Sequence, residues 1–120
     1  MTTSLDYLFE RINDICDEFM DVQDLVSGSA KKDVHDLLIQ TLLIRDQCDM
    51  DGLTREDVID RAVPNIMRMY KILMTDFYQV MSVYSDNSDV SEHLRRIEYA
   101  LSTFPSMIGR VFDEYSEKIE

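Results

Sequence analysis

Only three glycines and two prolines interrupt a chain of 120 residues. So few breakers favour long helices and disfavour an all-β chain of many tight turns. Hydrophobic residues make up 45% of the chain, too many for a disordered one. The length suits one helical domain spanning residues 1–120. The expectation is an all-α, compact bundle of four main helices. The count rises to six if Pro64 and Pro105 each break a helix.

The apolar phase supports this along the chain. Thr3 or Ser4 can cap a first helix, with Asp6 near its positive end. Its buried face is read as Leu5, Leu8, Phe9, Ile12, Ile15, Cys16, Phe19, Met20 and Val26, and Ser27-Gly28-Ser29 ends it. A second helix is expected over about residues 30–47, on Val34, Leu37, Leu38, Thr41 and Leu42, with Ile44 at the margin. A polar break over 48–53 leads to Thr54, an N-cap.

The stretch 65–84 is apolar almost all the way round the wheel, which predicts a third helix that is central and largely buried, Ile72 and Leu73 included. One central helix wrapped by amphipathic ones is an arrangement similar to that of Bcl-2-like folds, although no motif of that family is present. After a polar turn over Ser85–Ser88, Asp89 and Glu92 form a capping box. A last stripe runs through Leu94, Ile97, Leu101 and Phe104, passes Pro105, and continues to Ile119.

The first helix carries the strongest functional signal. Asp6, Glu10, Asp14, Asp17, Asp21 and Asp24 are spaced 4, 4, 3, 4 and 3 residues apart. At ~100° per residue they fall within roughly 80° of one another, in a row about 27 Å long. Arg11 is the only base in the first thirty residues. Like charges three or four residues apart each cost about 0.2–0.5 kcal/mol, so the row weakens its own helix. Their intervals of ~5–6 Å come close to the separation of neighbouring phosphates along a nucleic-acid strand.

The net charge is −12. It argues against direct contact with nucleic acid or an anionic membrane and favours a basic protein partner. No apolar run approaches the ~18 residues of a membrane span, and Met1 is followed by polar residues rather than a signal peptide. Cys16 and Cys48 sit in dissimilar settings and read as free thiols in a reducing compartment. The expected location is cytoplasmic, or intracellular within a host.

Catalytic patterns are sparse. Asp49-Met50-Asp51-Gly52 resembles a calcium loop, but Gln47 and Val58 occupy its two anchor positions. Asp17-Glu18-x-x-Asp21 followed by Asp33-x-x-Asp36 resembles the magnesium site of all-α nucleotide pyrophosphohydrolases, which implies carboxylates of facing helices converging on a hard cation. His35 and His93 lack a second His or Cys at zinc-ligand spacing and read as surface residues. No nucleophile motif or phosphate loop is present.

The ranking that follows places first a non-enzymatic protein-binding module. Its acidic helix face docks on a basic, nucleic-acid-binding partner as an inhibitor or nucleic-acid mimic, and its general look resembles that of small acidic viral or phage proteins. Second comes an assembly chaperone or adaptor. It holds a partner's amphipathic helix in an apolar groove rich in Met67, Met69, Met74 and Met81. The magnesium hydrolase is third. No cofactor is implied. Surplus apolar surface on the third helix is also suited to burial in a homodimer.

Overall fold

Helix α1, Ser4–Leu25, begins in a reciprocal capping box. The Asp6 N–H donates to the Thr3 hydroxyl at 3.1 Å, and the Thr3 N–H donates to the Asp6 carboxylate at 3.0 Å. Gly28, at φ 66, turns the chain into α2, Gly28–Gln47. A second positive-φ glycine, Gly52 at φ 78, closes the next turn, in which the Leu53 N–H donates to the Met50 carbonyl. Thr54 then caps the Asp57 N–H at 3.1 Å. From there one helical run passes through the short α3, Arg55–Asp57, and a π segment, Val58–Ala62, into α4, Val63–Tyr84. Helix α5, Ser88–Glu117, completes the chain. The computed structural model describes residues 3–84 and 86–117, and no strand occurs among the described residues. Ser85 and Ile119 lie outside them.

The four long helices form a ring in which α1 packs on α2, α2 on α4, α4 on α5 and α5 on α1. Every neighbouring pair is antiparallel. Ser4 meets Glu114 while Glu18 meets His93 and Arg96. Gln40 meets Asp76 while Asp33 meets Tyr84. Arg55 meets Tyr115 while Tyr70 meets Leu101. The bundle measures 53 × 24 × 20 Å. Phe19 and Phe77 close its middle across the diagonal, edge to face, with ring centroids 6.2 Å apart.

The expected core of α1 and α2 is buried at Leu8, Ile12, Ile15, Cys16, Phe19, Val34, Leu37, Leu38, Thr41 and Ile44. Phe9 and Met20, placed inside by their apolar character, are instead exposed at the margins of α1. The larger correction concerns the third helix, which is not central and largely buried. Only Val63, Ile66, Tyr70, Leu73 and Phe77 of α4 are buried, along one face. Ile72 is 60% exposed while its neighbour Leu73 is fully buried. In a ring of four helices each member offers one face to the core, and Met67, Met69, Met74 and Met81 fill the edges of that face. The likeness to a wrapped central helix therefore does not hold.

Neither proline breaks its helix, so the count is four long helices. Pro64 lies inside the continuous run that begins at Arg55, just after the π segment. The π segment before it bonds the Val63 N–H to the Val58 carbonyl. Pro105 is harder to place, because it lies deep inside the 30-residue α5. Its absent N–H leaves the Leu101 carbonyl without the usual i+4 donor. The buried Tyr70 hydroxyl donates to that carbonyl at 2.7 Å, with the Tyr70 ring stacked on Phe104 at 5.3 Å. The start of α5 also differs from expectation. Asn87 caps it, accepting from the Asp89 N–H at 3.0 Å, and Glu92 pairs with Arg96 instead of closing a capping box.

Two outcomes are expected. Tyr70→Phe should cost about 1–3 kcal/mol by leaving a buried carbonyl unpaired. The cost should shrink in a Pro105→Ala background, where the backbone supplies its own donor; equal losses in urea melts of both backgrounds would contradict this. Leu73→Asp should abolish the helical circular dichroism signal by burying an unpaired charge, whereas Ile72→Asp should retain it.

Candidate functional site

The acidic row on α1 points directly away from the core. Asp6, Glu10, Asp14, Asp17, Asp21 and Asp24 are all exposed. They are not equivalent. Asp6 is engaged in the capping box, and the bonds from the backbone and side chain of Thr3 hold its carboxyl below the usual range. Asp14 borders a groove on the α1–α5 seam that also contains Arg11, Arg95 and Arg96. Asp21 lies close enough to Arg96 to favour its charge. Glu10, Asp17 and Asp24 face solvent. Apart from Asp6, no member of the row forms a hydrogen bond or ion pair among the described residues.

Beside the row, Glu18 is turned toward α5 by roughly 80°, at ~100° per residue, and does different work. Its carboxylate accepts from Arg96 Nε at 2.9 Å and lies 2.7 Å from His93 Nδ1. Arg96 also pairs with Glu92 at 3.3 Å. Burial raises the Glu18 carboxyl, but the bonds from Arg96 and His93 outweigh it and leave the group below its ordinary value. Arg96 Nη2 sits 2.9 Å from the same His93 Nδ1. One ring nitrogen cannot donate to a carboxylate and accept from a guanidinium at once. The cluster therefore depends on the tautomer that His93 adopts.

Sequence reading placed His93 on the surface as a bystander. It is half-buried and ties α1 to α5. The available signal was the position of Glu18, out of step with the acidic row and at the edge of the apolar arc.

Glu18, Asp21 and His93 bring one ligand atom each to within 4.8 Å of one another. An imidazole with two carboxylates is a donor set suited to a divalent transition ion. Here, however, the Arg96 guanidinium already supplies the positive charge, and an ion would have to displace it. The cluster is better described as an interhelical clamp.

The magnesium pattern read from the sequence is not assembled. Glu18 faces α5, whereas Asp33 and Asp36 line a separate groove between α2 and α4. Asp49 and Asp51 lie in the exposed turn before α3. Cys16 and Cys48 are buried free thiols, pushed up by burial to about 11 and about 12. Cys48, read as part of a polar break, belongs to the core.

The α2–α4 groove, of about 620 Å³, has Asp33, Asp36 and Asp76 among its lining residues. Gln40 bridges its walls, donating from Nε2 to Asp76 Oδ2 at 2.8 Å. No helix among the described residues is long and apolar enough to cross a membrane.

The clamp has a pH signature. The folded Glu18 carboxyl lies below its unfolded value of roughly 4.3, so its stabilisation is complete above that value and is lost as pH falls through the lower, folded one. Glu18→Gln should cost about 1 kcal/mol near neutrality. The gap between variant and parent in urea melts should close below about pH 4.3, and a gap that persisted in acid would contradict the clamp. Compared with known proteins, the chain matches no family model, no curated protein and no solved structure.

Proposed function

We propose that this protein is a non-enzymatic binding module that docks the acidic face of α1 on a basic surface which its partner uses for nucleic acid. It acts there as an inhibitor or nucleic-acid mimic, in the cytoplasm or inside a host cell. The observation that carries the reading is the contrast within α1. Glu18, Asp6 and the core-facing residues are all employed in the fold. Glu10, Asp14, Asp17, Asp21 and Asp24 are exposed and bonded to no described residue. A row of like charge costs its own helix stability, and a basic partner converts that cost into attraction. The net charge of −12 extends the attraction beyond contact and makes it sensitive to salt. The distribution of carboxylates over two separate seams also favours binding over metal-assisted hydrolysis.

The arginines on the α1–α5 seam decide which residues to reverse. Lysine at Asp14 or Asp21 would meet Arg95 or Arg96 and destabilise the clamp. The cleaner variant is Glu10→Lys, Asp17→Lys and Asp24→Lys together. Its thermal stability should be equal to the parent's or slightly higher, because like-charge repulsion is relieved. Immobilised parent protein should capture nucleic-acid-binding proteins from a cell lysate. Added duplex DNA should release them, as should salt that shortens the Debye length below its physiological ~8 Å. The triple variant should lose the capture that duplex DNA releases. Capture that is indifferent to the reversal and to DNA would overturn the reading.

A further inference from the structure

A second surface, across the bundle from the α1–α5 seam, has a different chemistry. On α2, Ile39 and Leu43 are one turn apart and 42% and 51% exposed. On α4, Ile72 and Val83 share a face and are 60% and 68% exposed. The Gln40–Asp76 and Asp33–Tyr84 bonds fix the register, setting Leu43 level with Ile72 and Val83 level with Asp33. Ile39 and Val83 line the groove between the helices, and Leu43 and Ile72, on the same faces of α2 and α4, extend the row beyond it to a length of about 16 Å over residues 72–83 at ~1.5 Å per residue. Val80 lies in the groove, and the charged residues among its described lining are Asp33, Asp36 and Asp76. Scattered exposed apolar residues are ordinary, whereas a row of them along one seam is not.

We infer that the α2–α4 groove seats a basic amphipathic helix of a partner protein, about three turns long. The apolar face of that helix covers Ile39, Leu43, Ile72 and Val83, and its Lys or Arg residues meet Asp33, Asp36 and Asp76. Charge selects this occupant. A second copy of the chain, itself at −12, would set its own aspartates against these. Nucleic acid and anionic lipid are repelled by the same rim, and a neutral apolar helix brings no positive charge to its three carboxylates. Gln40 Oε1, an acceptor with no donor among the described residues, offers a further place for a lysine ammonium. The groove is independent of the α1 row, and either reading can fail alone.

The test uses a fluorescein-labelled peptide of roughly 14 residues, with Leu along one face and Lys along both borders. A shuffled peptide of the same composition, without the amphipathic phase, is the control. The amphipathic peptide should bind about tenfold or more tightly than the shuffled one, since only it can bury the apolar seam. Amide shifts in a nitrogen-15 spectrum should fall within residues 33–43 and 72–83 and spare α1. Ile39→Lys with Val83→Lys should weaken binding by about tenfold or more. The Glu10, Asp17 and Asp24 reversal should change it by less than about threefold, through general charge alone. Should the double variant unfold, Asp36→Asn with Asp76→Asn replaces it, and the expected result is a several-fold loss with a shallower salt dependence. Equal binding of the two peptides, shifts on α1, or a dimer in sedimentation that shields these same residues would each overturn the proposal.

Discussion

The Tyr70 hydroxyl satisfies the Leu101 carbonyl that Pro105 leaves without a donor inside the continuous α5. A proline inside a helix removes one bond and orphans one carbonyl, at about 3 kcal/mol or more. The buried tyrosine answers the second part of that cost from a neighbouring helix. Contacts at both ends of α5 rely on the result. Near its start, His93 and Arg96 reach Glu18 on α1. Near its end, Glu114 takes the Ser4 hydroxyl and the Tyr115 carbonyl takes Arg55. A bend at Pro105 would bring one set out of register with α1 while leaving the other in place. The tyrosine thus supports the helix that carries the α1–α5 seam without touching the seam.

Much of this was legible in the sequence, and the line between what was and was not is physical. Caps at Thr3 and Thr54, the phases of α1 and α2, and the outward direction of the acidic row depend on residues within one or two turns of each other. Periodicity reads such things directly. The burial of α4 was misread because apolarity around a helix says how much surface can be covered, not which side the neighbours occupy. Methionines and tyrosines tolerate a half-covered edge. The continuity of α5 was out of reach for another reason. A proline's effect is local, but its remedy lay 31 residues from the orphaned Leu101 carbonyl, on another helix. The clamp joins residues 75 positions apart, and the ambiguity of His93 arises only when Glu18 and Arg96 arrive together.

The cyclic order of the helices also divides the surface. Helix α1 sets its row of carboxylates opposite its core face, and α5 lends arginines to one border of that row. Helices α2 and α4 leave an apolar seam on the far side, rimmed by aspartates. On the proposed readings both surfaces would hold a basic partner, by different forces. The α1 row is a line of charge flanked by the exposed Tyr7, Phe9, Met20 and Leu25, and in the proposed complex its long-ranged, salt-screened attraction would govern encounter. The α2–α4 seam has apolar area with charge at its rim. In the proposed complex, desolvation of that area would slow departure, and the rim would disfavour partners of the wrong sign.

A rigid globular partner meets one side of a bundle only 24 × 20 Å in cross-section at a time, so it engages one surface or the other. A partner with a folded basic domain and a basic helical extension is different. The domain can sit on α1 while the extension crosses the narrow waist of the bundle to α2 and α4. Linking the two contacts makes the second one intramolecular, so two modest affinities multiply. In such a complex salt would act in two stages. Moderate salt would weaken the α1 contact first, because exposed charges are screened most. The apolar seam would hold until the helix itself dissociated. A single-stage salt release would instead mean that one face does all of the binding.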